Sequence, residues 1–162
     1  MTCPPPGQAL LFSAASFIHH NYITEVERML LENIKEVVNV SSLADVNVTD
    51  CVYITNVSGN IAPILSRIKC KCLCISKMML STEDTAALVQ GMQTSLERVR
   101  LGDDLVELDM DTLLTYNGRG HCRMVQCRGE TRRRYGDQLA TWGETMGWGV
   151  EKDINFVNIY RL

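Results

Sequence analysis

Apolar residues recur through the middle of the chain in one spacing. Leu43, Val46, Val48, Cys51 and Ile54 fit the frame L-x-x-L-x-L-x-x-C-x-x-L, with any apolar residue standing for L. Cys70, Leu73, Ile75 and Met78 repeat it, followed by Leu96, Val99 and Leu101, then Cys122, Val125 and Cys127. The copies start at 43, 70, 96 and 122, which makes the steps 27, 26 and 26. A single short apolar pattern arises by chance, whereas four in near-constant register mark an internal repeat. The alternation inside each copy predicts a short strand.

Helical patterns lie between the copies. Thr82 to Met92 has Ser81 or Thr82 as a cap and acidic residues in its first turn, where the helix dipole favours them. Ala86, Leu88, Val89 and Met92 give it an apolar face. Shorter helices are predicted over Ile61 to Ile68 and Met110 to Tyr116, and a longer one over Thr131 to Met146, stopped by Gly147. Strand–helix–strand connections of this length imply parallel strands. One such unit cannot bury its own apolar face, and stacking neighbouring units does so.

The ends differ. Residues 1–42 read as a helical N-terminal capping segment. Ala9 to His20 and Ile23 to Val38 carry it, the second with an apolar stripe of Val26, Met29, Leu30, Ile34 and Val37. Residues 149–162 alternate and are rich in β-formers, which predicts a closing strand or hairpin. Four units over 43–148 lie between.

This spacing and period resemble leucine-rich repeats of the helix-containing, ribonuclease-inhibitor-like type, as found in the C-terminal sensor region of NOD-like innate immune receptors. The resemblance implies an α/β solenoid, a short horseshoe with parallel strands on the concave face and helices on the convex face. It also implies recognition of a protein or microbial ligand, or contact with an intramolecular nucleotide-binding domain in a longer parent chain. The chain departs from the family pattern at Met78, Asp104 and Glu130, where Asn or Cys is usual, and at Cys70, Cys122 and Cys127, which replace Leu. Two other readings stay open. One is the substrate-recognition arm of a ubiquitin ligase, although residues 1–42 carry no adaptor-binding motif. The other is a thiol-based redox sensor.

Strand alternation sends the residues between the apolar positions to the concave face. Three rows are expected to meet a partner: Asp45, Cys72, Arg98 and Met124; Asn47, Cys74, Arg100 and Gln126; Thr49, Ser76, Gly102 and Arg128. Four strands give a sheet about 15 Å across, small beside a standard interface of roughly 20–30 residues a side.

Composition narrows the chemistry. The 162 residues are 46% hydrophobic and carry a net charge of −3, so whole-chain charge does not support nucleic-acid binding. No apolar run is long enough to span a membrane. Seven cysteines, an odd number, with no basic-start leader, favour reduced thiols and a cytoplasmic location. Asn39, Asn47 and Asn56 begin glycosylation-type sequons that would argue the other way.

In "CKCLCIS", Cys72 and Cys74 share a face while Cys70 belongs to the buried row. With Asn47, Arg98 and Arg100 as expected neighbours, a four-ligand zinc set is not completed, and no metal or other cofactor is expected. Exposed Cys72 and Cys74 beside two arginines are candidate reactive thiols. Arg132, Arg133 and Arg134 crowd a helix start, where the dipole disfavours them and Glu130 is the expected compensation. Gly118-Arg119-Gly120 lacks the Lys-Ser/Thr of a phosphate loop. No nucleophile–base spacing points to an enzyme.

Overall fold

Burial alternates along the strands, and the alternation sorts the residues into two faces. The computed structural model describes residues 9–12, 25–33, 47–57, 61–67 and 69–162. The strands are β1 (Ala9–Phe12), β2 (Glu25–Glu32), β3 (Asn47–Thr55), β4 (Cys72–Ser76), β5 (Met78–Leu80), β6 (Arg98–Leu101), β7 (Leu105–Leu108), β8 (Met124–Arg128), β9 (Gly149–Lys152) and β10 (Phe156–Tyr160). The helices are α1 (Ala62–Arg67), α2 (Thr82–Thr94), α3 (Met110–Leu113) and α4 (Gly129–Thr145). The fold class is α/β, with a mostly parallel sheet.

Among the described residues the main sheet has eight strands in the order β1-β2-β3-β4-β6-β8-β10-β9. The pairs from β1 to β8 are parallel, and β9–β10 is an antiparallel hairpin whose second strand pairs with β8. A separate two-stranded sheet joins β5 to β7. On one face of the main sheet, Leu73, Ile75, Val99, Leu101, Val125, Cys127, Val157 and Ile159 are buried in the same cluster as Ile64 of α1, Leu88 and Met92 of α2 and Leu139 of α4. Each fully buried aliphatic side chain contributes about 1.5–3 kcal/mol. Helices therefore cover one face, and among the described residues no element covers the other.

A left-handed residue follows three consecutive strands, at Asn33, Asn56 and Lys77, with φ of 56°, 53° and 55°. Asn33 N–H donates to Thr55 O, Asn56 N–H to Ser76 O and Lys77 N–H to Asp103 O. Asparagine tolerates this conformation because its short amide bonds locally, and here Asn56 Nδ2 donates to Asn33 Oδ1 at 2.7 Å.

Asp84 joins two helices. It closes a capping box with Ser81 at the start of α2, and its Oδ1 also accepts the N–H groups of Ile61 and Ala62, both at 2.9 Å, where α1 begins. At the other end of the sheet, buried Tyr116 donates its hydroxyl proton to Cys122 O while Trp142 Nε1 donates to Tyr116 O. Arg161 stacks over Trp148, 5.6 Å from the ring centre, and its Nη2 lies 2.6–3.0 Å from the carbonyls of Gly118, Gly120 and Cys122.

Two expectations are corrected. The helical N-terminal segment is strand at Ala9–Phe12 and Glu25–Glu32; the rest of 1–42, apart from Asn33, lies outside the described residues. Met29 and Leu31, two apart, are buried at 0%, and pair with Val52 and Ile54. Val26, Met29 and Leu31 thus follow the same frame as the later copies, and the helix stripe is satisfied by Leu30 in place of Leu31. The first copy is also misplaced. Val52 pairs with Leu73 and Ile54 with Ile75, so its frame starts at 49 rather than 43. The step to the next copy is 21 residues, because α1 has six residues where α2 has 13.

Candidate functional site

The open face is built from residues whose strand neighbours point into the core. From β4 onward its rows align as the repeat spacing implies. Cys72 pairs with Arg98, and Arg98 with Met124; Cys74 pairs with Arg100, and Arg100 with Gln126. Arg128 and Ser76 lie further along the same strands. On the β3 side the neighbours differ from expectation. Cys51, Tyr53 and Thr55 stand beside Cys72, Cys74 and Ser76. Asn47 and Thr49 sit earlier on β3, and Asp45 is outside the described residues.

This register brings three thiols together. The Sγ atoms of Cys51 and Cys74 are 3.7 Å apart, those of Cys72 and Cys74 are 4.0 Å apart, and all three lie within 4.8 Å of one another. Cys51 and Cys72 are 3% and 2% exposed, so the expectation of two exposed thiols is wrong for Cys72. Cysteine is short, and the register flanks it with the longer Tyr53, Arg98 and Arg100. Cys74 is half-buried.

The sulfurs share protons unequally. The Cys72 thiol is held far below its ordinary value, first by its hydrogen bond with Cys51, then by that with Cys74, against burial, with Arg100 and Arg98 adding. Cys51 is pushed up to about 11, chiefly because its hydrogen bond with Cys72 keeps its proton. Cys74 is pushed up by its hydrogen bonds with Cys51 and Cys72 and by burial.

The arginines beside the cluster have spare donors. Arg98 Nη2 reaches Asp50 at 3.6 Å, a half-exposed pair of little energetic weight. The Nε atoms of Arg98 and Arg100 are buried and have no hydrogen-bond partner among the described residues. A buried unmet N–H costs about 1–3 kcal/mol, so each side chain carries one donor whose capacity is unmet among the described residues. The other arginine cluster is engaged differently. Arg133 pairs with Glu130 at 3.2 Å, and Arg132 Nε donates to Phe156 O.

Cys51 and Tyr53 are the residues that sequence reasoning missed. The frame Thr49-x-x-Val52-x-Ile54 was available to find them, in competition with the Leu43 frame. Among the described residues no helix is long and apolar enough to cross a membrane. Searches of protein-family models, curated proteins and solved structures give no match to this chain.

Proposed function

We propose that the chain is a recognition module of the leucine-rich-repeat type, a solenoid whose open sheet face binds a protein or microbial ligand. On this reading it serves as the sensor or autoregulatory region of an NLR-type innate immune receptor and has no catalytic role. The chain order of the parallel strands, the recurring left-handed turn and the helices on one face support it. The observation that carries it is the open face itself, where Arg98 and Arg100 hold unmet buried donors next to Gln126. A net charge of −3 overall contrasts with this local basic patch. The partner surface it fits is acidic, because carboxylates pair with the two guanidinium charges.

Photo-cross-linking in cells tests the choice of face. A photoreactive residue at Ser76 or Gln126 reports on the open face, and one at exposed Gln90 or Gln138 on the helices. Adducts are expected from the first pair only, and Arg100→Glu should abolish them. Equal yields from both faces, or adducts from the helices alone, refute the reading. The cross-linked species separates the rivals: a microbial ligand, a nucleotide-binding domain, or a ligase adaptor.

A further inference from the structure

We propose that Cys51, Cys72 and Cys74 form a three-thiolate site for one Zn²⁺ ion on the open face of the sheet, with the fourth coordination position left for water or an incoming donor. The geometry is the first support. Zinc–sulfur bonds are about 2.3 Å, so two thiolates of a tetrahedral site lie about 3.8 Å apart. The Sγ separations of 3.7 and 4.0 Å match that edge, and the third is below 4.8 Å. Two neighbouring strands set these positions: β4 supplies Cys72 and Cys74 by alternation, and β3 supplies Cys51 by register.

Charge is the second and independent support. Three thiolates around Zn²⁺ carry a net charge of −1. Arg98 and Arg100 stand in register with Cys72 and Cys74, and both have a buried Nε–H with nothing to bind among the described residues. Metal-bound sulfur accepts such donors, which is how outer groups stabilise a thiolate site. Binding as thiolates passes the thiol protons to solvent.

The other described cysteines do not share this setting. Cys70, Cys122 and Cys127 are buried within the hydrophobic core, on the helix-covered side. The cluster lies on the opposite face, so Cys→Ser changes there leave the core intact. This site stands on the sulfur geometry and the neighbouring arginines and needs no recognition function.

The test uses the whole chain, reduced, stripped with EDTA and titrated with Co²⁺ as the spectroscopic probe. The expected result is saturation at one ion per chain, with the visible bands of a tetrahedral site and a thiolate-to-cobalt charge-transfer band. Zn²⁺ should bleach both, release protons to solvent, and protect half-buried Cys74 from alkylation. Cys51→Ser, Cys72→Ser and Cys74→Ser should each weaken binding at least tenfold, while Cys122→Ala keeps the bands. Thermal melts in EDTA identify variants that remain folded. Arg100→Gln, which leaves every sulfur in place, should weaken binding by a smaller factor. The proposal is overturned if no band appears at one equivalent, if a folded Cys72→Ser binds like the unaltered chain, or if excess Zn²⁺ leaves Cys74 as open to alkylation as it is in EDTA.

Discussion

Asp84→Ala should be among the most damaging single substitutions in this chain. The carboxylate is 1% exposed, and one of its oxygens accepts the N–H groups of both Ile61 and Ala62. Its second oxygen faces the N–H of Ser81 at 3.4 Å. Alanine strands two short-bonded donors where water does not reach, at about 1–3 kcal/mol each. It also removes half of the capping box, worth about 1 kcal/mol. Removing a buried charge relieves some desolvation cost, so a net loss of about 3–4 kcal/mol is expected. For a chain of this size that is a fall of about 6–15 °C in Tm. Asp84→Asn keeps one carbonyl oxygen for Ile61 and Ala62 and should lose only about 1 kcal/mol. Urea unfolding followed by circular dichroism measures both, with the m-value unchanged if only stability moves. A loss below about 1 kcal/mol for alanine, or equal losses for alanine and asparagine, would refute the reasoning.

Gly118→Ala should cost about 2 kcal/mol or more, measured by the same unfolding curves. Its φ is +80°, and an added Cβ would lie 2.9 Å from both Met146 Sδ and Trp148 Nε1. The Asp109 carboxyl is held below its ordinary value by the hydroxyl of Thr82 and then by the hydroxyl and N–H of Thr112. A depressed carboxyl contributes stability above its unfolded value, lost as pH falls through the folded one. Asp109→Asn should therefore flatten the loss of stability below about pH 4, and an unchanged acid slope would count against this cap.

The helix-capping chemistry is legible in the sequence. Ser81 before Thr82-Glu83-Asp84 reads as a cap, and it caps α2 with Asp84 as its reciprocal partner. The long reach of Asp84 to α1 is not legible there, because Ile61 is 23 residues away and nothing local encodes that meeting. The N-terminal strands escape a sequence reading for a different reason. In Val26-Glu-Arg-Met-Leu-Leu, Val26, Met29 and Leu30 satisfy a helical stripe while Met29 and Leu31 satisfy an alternating strand, and a short apolar run cannot separate the two. Pairing with β3 decides for strand there.

By itself the sequence determined the alternation of the strands, the α/β class and the shared frame of the copies that begin at 70, 96 and 122. These follow from spacing within a few residues, where side-chain period and backbone geometry are tied together. Only the tertiary structure decided which strand residues stand side by side at β3. Register between strands depends on the length of the connection, and the six-residue α1 shifts it. That shift replaces the expected Asn47 with Tyr53 beside Cys74, and sets Cys51 beside Cys72. It turns "CKCLCIS" from an incomplete pair of thiols into one side of a three-sulfur cluster.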